Sequence, residues 1–155
     1  MVAIAAAAPV SVQCLSARFI ENGAGTYTAT FNLPPNAVLY DIVATAEALW
    51  TAGTSAALVV GNADDVDGYI ASTDLKATDL TLLQSISIGG GTLTAGGKGG
   101  ADAIVGTNTH IVDKWYSATL PYVITATVTS VGAGTAGRTR VDVLFTVGNP
   151  TSVTQ

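Results

Sequence analysis

The 155-residue chain carries a formal net charge of −5, and only 11% of its residues are charged, against about 25% in ordinary soluble domains. A chain of this length buries enough surface for one hydrophobic core without disulfide or metal support. Its six Lys and Arg residues argue against nucleic acid as a partner, because clustered cations bind a phosphate backbone. With so few solvating charges, part of the surface is expected to be covered by other subunits.

The N-terminal residues 2–10 are apolar, but they lack a basic flank and are far fewer than the roughly 20 residues that span a bilayer. We therefore expect neither a signal peptide nor a membrane anchor, and we interpret residues 1–15 as an N-terminal arm or part of a first strand. Cys14 is the only cysteine, which excludes an intramolecular disulfide and a cysteine-rich zinc site. Its expected role is that of a small, buried, apolar side chain.

Alternation of apolar and polar residues and short apolar runs between turn signals predict the strands of the chain. In chain order, the predicted strands are residues 26–33, 38–49, 57–61, 83–88, 103–105, 110–112, 122–129 and 138–147. The glycine-rich residues 132–137 between the last two strands predict a β-hairpin.

One stretch has a helical pattern, residues 73–80, where Thr73 or Asp74 fits a helix cap. Residues 89–100, GGGTLTAGGKGG, are expected to form an exposed loop, and residues 148–155 a C-terminal tail. Many short strands without helix-strand alternation predict an antiparallel β-sandwich. The expected fold is a single domain over residues 1–155, jelly-roll-like, with one short helix.

The densest acidic cluster comprises Asp64, Asp65 and Asp67, whose oxygen atoms could hold calcium at this spacing. The segment lacks the twelve-residue spacing and terminal glutamate of an EF-hand, and acidic turns are commonly only solvated. A solvated turn is therefore the favoured interpretation, with calcium as the alternative. No cofactor site is predicted.

Catalytic signatures are missing from the sequence. Gly132, Gly134 and Gly137 match the spacing GxGxxG, but the residues that follow alternate as a strand, and a dinucleotide site needs a helix there. His110 is the only histidine, and no GxSxG motif marks a nucleophile for it to activate. We expect a protein without enzymatic activity.

Trp115 and Tyr116 are the candidates for partner contact. They lie beside Lys114 and before Pro121 in a stretch that is predicted to be a loop. Large amphipathic side chains of this kind are enriched at interface hot spots.

Three segments carry a resemblance to a known group of proteins: AEALWTAGTSAALVVG (residues 46–61), NADDVDGYIASTDLKATDL (residues 62–80) and VITATVTSVGAGTAGRTRVDVLF (residues 123–145). Together they resemble small structural proteins of tailed-phage virions, of the capsid decoration or cement type. The resemblance implies a homotrimer that binds the major capsid protein on the capsid exterior, after synthesis in the cytoplasm of the host bacterium. It implies no catalytic residues.

Two other functions remain open at this point. A head-fibre, neck or tail module for attachment or host recognition would also use a β-sandwich, but it would need an aromatic platform for a carbohydrate. A small hydrolase would need a pocket with convergent polar groups and a perturbed titrating residue.

Overall fold

The computed structural model of the chain describes residues 11–35, 37–88 and 122–147. Within these residues the regular secondary structure is eight β-strands. In chain order they are β1 (Val12–Ile20), β2 (Gly25–Leu33), β3 (Ala37–Ala48), β4 (Ser55–Gly61), β5 (Ile70–Asp74), β6 (Ser85–Ser87), β7 (Tyr122–Val131) and β8 (Arg138–Val147).

The strands form two four-stranded antiparallel sheets, as the sequence predicts. Sheet A has the order β1-β8-β3-β6, and sheet B has the order β2-β7-β4-β5. The first half of the chain pairs with the second half in reverse order, β1 with β8, β2 with β7, β3 with β6 and β4 with β5. The chain thus folds like one long hairpin wound into two sheets, which confirms the predicted antiparallel β-sandwich.

Alternation along each strand divides the side chains between a shared core and two outer faces. In β8, Thr139, Val141, Val143 and Phe145 are buried in the core, which confirms the predicted alternation. The large aliphatic side chains of the core are fully buried, and each contributes about 1.5–3 kcal/mol to folding. They include Leu33, Ile42, Leu58, Ile70, Leu75, Leu80 and Ile124.

The predicted hairpin between the last two strands is wrong. β7 lies in sheet B and β8 in sheet A, so the link at residues 132–137 crosses from one sheet to the other. Alternation and a glycine-rich link specify two strands and a turn but not whether the strands pair, and a six-residue link is long enough to change sheets. Gly132 has φ of +89°, and a Cβ there would lie 2.8 Å from the backbone nitrogen of Gly53, so the crossing depends on glycine at this position.

The predicted helix over residues 73–80 is also wrong. Thr73 and Asp74 end β5, and turns follow. The Oδ1 atom of Asp74 accepts a hydrogen bond from the backbone N–H of Lys76 at 2.6 Å, and Asp79 Oδ2 accepts one from the N–H of Asp74 at 2.8 Å. Ala77 has φ of +80°, which a right-handed helix does not allow. The polar side chains that suggested a helix cap stabilise a loop instead.

Three further predictions, two about strand bounds and one about Cys14, differ from the structure. β1 begins at Val12, inside the predicted N-terminal arm, and β6 is shorter than predicted because Leu83 has φ of +64°. Cys14 is exposed and not buried as expected, because it points outward from β1. The remaining predicted segments lie outside the described residues: the strands at residues 103–105 and 110–112, the loop at 89–100 and the tail at 148–155.

Candidate interaction surfaces

Sheet B presents an outer face on which the described strands β2, β7 and β4 carry no Asp, Glu, Lys or Arg. Its residues align in rows across the three strands, each with a threonine on β2, a threonine on β7 and a small or apolar residue on β4. The rows are Thr26–Thr129–Ala57, Thr28–Thr127–Val59 and Thr30–Thr125–Gly61. Gly61 is buried beneath Asp65 and Val66 of the link that follows β4, so we call the other eight residues the threonine face.

Covering the threonine face with another protein costs little free energy of desolvation. Taking a lysine or glutamate out of water costs several kcal/mol unless it meets an opposite charge, whereas a hydroxyl group costs about 1–3 kcal/mol, which a hydrogen bond offsets. Protein interfaces are depleted of charged residues at their centres. The threonine face therefore has the chemistry of a surface that another protein covers.

Sheet A has a different outer face, with a cluster of charges around Glu47. Arg18 donates to both carboxylate oxygens of Glu47, from Nε at 2.7 Å and from Nη2 at 2.9 Å. Arg138 and Arg140 approach the same carboxylate at 3.7 Å each. The hydrogen bond from Arg18 holds the pKa of Glu47 below its ordinary value, against an opposing effect of burial. The three arginines are 41–51% exposed, so these ion pairs are solvated and stabilise the fold only weakly.

A buried carboxylate joins three segments at one end of the sandwich. Glu21, which follows β1, is 2% exposed, and its Oε2 accepts hydrogen bonds from the N–H and hydroxyl of Thr51 and from the N–H groups of Ala136 and Gly137, at 2.9–3.1 Å. Burial raises the pKa of Glu21, but these four donors outweigh it and hold the pKa below the ordinary value. The ionised carboxylate thus ties together the end of β1, the β3–β4 link and the β7–β8 link.

The candidate calcium residues lie in the link between β4 and β5. The side chain of Asn62 accepts hydrogen bonds from the N–H groups of Asp64 and Asp65, and Asp65 Oδ1 accepts one from the N–H of Asp67 at 3.4 Å. In the described part of the chain, no three His, Cys, Asp or Glu side chains converge as a metal site would require.

A calorimetric titration of the full-length protein with calcium tests the alternative directly. We expect no binding heat, because the loop already satisfies its own backbone donors with the oxygens of Asn62 and Asp65 and calcium requires six to eight oxygen ligands. A saturable heat that is lost in Asp64→Asn would establish the calcium site instead.

The predicted partner-contact residues, Trp115 and Tyr116, lie outside the described residues, and their role stays a prediction. The other tryptophan, Trp50, is 3% exposed and belongs to the core. Tyr122 is partly buried at the beginning of β7, where its hydroxyl lies 2.6 Å from that of Tyr69 and accepts a hydrogen bond from the side chain of Asn62.

The described part of the chain contains no helix that is long and apolar enough to cross a membrane.

Two solved structures that contain a chain of similar fold are phage capsid structures. The chain is similar to one in the acid-stable capsid structure of Helicobacter pylori bacteriophage KHP30, with a TM-score of 0.55 and 18% identity, over 89% of each chain. It is also similar to a chain in the capsid asymmetric unit of cyanophage Pam1, with a TM-score of 0.51 and 17% identity, over 96% of this chain and 91% of that one. The likeness is one of fold. No protein-family model matches the sequence, and no curated protein matches it significantly.

The alternation of the sequence predicts the strand β7, but it does not predict the threonine face. The face exists because β2 and β4 flank β7 in a register that aligns uncharged residues, and the sequence does not specify that register. Glu21 was also missed, since one glutamate before an Asn-Gly pair carries no signal of burial. The available clue to the face was the lack of charge in all three strands.

Proposed function

We propose that the protein is a non-enzymatic structural component of a phage virion, a decoration protein that binds the major capsid lattice. The observation that carries the proposal is the uncharged threonine face, displayed on a fold similar to chains in two phage capsid structures. The protein acts on the capsid exterior as a homotrimer, after synthesis in the cytoplasm of the host bacterium.

The two outer faces support a division of roles. The threonine face loses little hydration when covered, so it is the side that lies against the capsid lattice. The outer face of sheet A holds Arg18, Glu47, Arg138, Arg140 and Asp142 in partly exposed ion pairs, so covering it would cost more free energy than covering the threonine face. A net charge of −5 keeps the covered particle soluble.

A trimer makes weak contacts effective. Three threonine faces bound to neighbouring capsid subunits act at a high effective concentration, so the complex binds far more tightly than one face alone. Binding to the assembled lattice alone stabilises that lattice by mass action. The protein would thereby strengthen the shell against the pressure of packaged DNA.

Thr127→Lys tests the proposal, because Thr127 occupies the middle row of the threonine face on the central strand β7. We expect at least about a tenfold loss of affinity, or 1.4 kcal/mol, since the new ammonium group must lose water on binding. The measurement is co-sedimentation of the full-length protein with expanded capsids of its phage that were assembled without it. Thr146→Lys, on the outer face of sheet A, is the matched control and should bind normally.

Equal binding by both lysine variants would refute the assignment of the threonine face, and no binding by the unmodified protein would refute the decoration role. In the second case, glycan-array binding would support the alternative of a head-fibre, neck or tail module for attachment.

A further inference from the structure

The four edges of the sandwich differ in length. On one side, sheets A and B end in β6 and β5, which have three and five residues. On the other side they end in β1 and β2, which have nine residues each and pair with β8 and β7 without a register shift. Short strands blunt an edge, whereas long regular strands present a row of backbone donors and acceptors to any extended segment.

Among the described residues, neither long edge carries the usual protection against pairing. β2 contains no charged residue and no proline, and β1 contains Arg18 as its one charged residue. Arg18 does not protect the edge against pairing with another strand, because its guanidinium lies over β8 and binds Glu47 on β3. Natural proteins that leave a long edge open place lysine, proline or a bulge on it, so a partner strand is expected for both edges.

The two long edges lie side by side. β1 and β2 contact each other on the same side of the sandwich, and the short link between Ile20 and Gly25 reverses the chain direction. The hydroxyl of Tyr27 on β2 holds this link by accepting from the N–H of Asn22 at 2.9 Å and donating to the carbonyl of Gly23 at 2.8 Å. Each copy therefore offers two adjacent, oppositely directed strands of equal length.

We propose that β2 of one copy pairs with β1 of the next copy, in a repeated contact that closes into a ring of three. The ring of three rests on the homotrimer of the proposed function. A threefold axis along the strands leaves β1 of the next copy antiparallel to β2 of the first, so antiparallel hydrogen bonding forms. Pairing of β2 with a second β2 would leave both β1 edges open, whereas this ring pairs both long edges that the described strands present.

The alternation of side chains restricts the register. Outward residues of β1 and of β2 are the even-numbered ones, Cys14 and Thr30 among them. Both cores remain intact when outward residues oppose outward residues. Two registers place outward residues opposite outward residues, and each pairs eight residues of both strands. In the first register, residues 12–19 of β1 lie opposite residues 32–25 of β2. In the second, residues 13–20 of β1 lie opposite residues 33–26 of β2. Cys14 then lies opposite Thr30 in the first and opposite Asn32 in the second.

Disulfide formation with the native Cys14 tests this geometry in the full-length protein. Directly opposed residues of antiparallel strands lie about 4.5–5.5 Å apart between Cα atoms, which a disulfide spans. Either Thr30→Cys or Asn32→Cys should give a covalent ring of three under mild oxidation, seen on non-reducing gels and by mass. A bridge within one copy is excluded, because Cys14 and the outward residues of β2 point away from opposite faces of the sandwich.

Thr125→Cys is the matched control. Thr125 lies opposite Thr30 on β7, on the same face but one strand away from the edge, so it should not be linked to Cys14. Adding Cys14→Ser to the reactive variant should abolish the linkage. Equal linkage of Thr125→Cys, or no linkage of either β2 variant, would overturn the proposal.

Light scattering of the unmodified protein separates this inference from the proposed function. A mass of three chains is expected without any capsid present, and a monodisperse monomer would overturn the ring. If the disulfide forms as predicted but trimers of the unmodified protein do not sediment with capsids, the decoration role alone would be contradicted.

Discussion

Glu21→Ala is expected to lower the free energy of unfolding by about 4 kcal/mol, because four donors lose their acceptor at roughly 1 kcal/mol each. The donors are the N–H and hydroxyl of Thr51 and the N–H groups of Ala136 and Gly137. Water cannot replace the carboxylate easily, since Glu21 is 2% exposed. Urea unfolding at pH 7, at one protein concentration, measures the loss.

The pH dependence of Glu21→Gln separates the charge from the hydrogen-bonding shape. In the folded protein the pKa of Glu21 is below its ordinary value, which is about 4.3 in an unfolded chain. The ionised carboxylate therefore contributes its full stabilisation above that pH and loses it as the pH falls through the lower folded pKa. Glutamine keeps one acceptor oxygen but does not titrate, so the stability difference between the two proteins should narrow on acidification. A difference that stays constant from pH 7 to pH 3 would contradict this role of the charge.

The strands with strict alternation were predictable because the periodicity of two is visible in the residues themselves. β8 has the predicted bounds, and β2 differs by one residue, since each strand buries one face and exposes the other. β5 was missed because the acidic residues around it resemble a helix cap, and only the hydrogen bonds of Asp74 and Asp79 decide between a cap and a loop.

The pairing of strands was not predictable from local patterns. β7 and β8 are adjacent in the chain, yet β7 pairs with β2 and β4 while β8 pairs with β1 and β3. These partners are distant in the sequence, and every strand with one apolar face could pair with any other. For the same reason the lack of charge was visible in the sequence, but its concentration on the outer side of β2, β7 and β4 was not.

Gly137→Ala is expected to destabilise the protein by about 3 kcal/mol, the upper part of the range for overpacking a buried site. A Cβ at this position would lie 2.5 Å from Cγ of Trp50. The indole ring cannot move aside easily, because Trp50 is 3% exposed, donates from Nε1 to the hydroxyl of Thr139 at 2.9 Å, and packs edge-on against Tyr27 with ring centroids 5.4 Å apart.

Gly53→Ala is the matched control for this effect, and a double variant tests its cause. A Cβ on Gly53 meets nothing closer than the Cα of Gly132, at 3.8 Å, so its unfolding free energy should change by less than about 0.5 kcal/mol. Trp50→Ala alone should cost about 3–5 kcal/mol. If the clash with the ring is the cause, adding Gly137→Ala to Trp50→Ala should cost little more, because the colliding atoms are gone. Simple additivity of the two losses in urea unfolding would show instead that Gly137 matters for its backbone, and that the indole ring does not restrict the link between the two sheets.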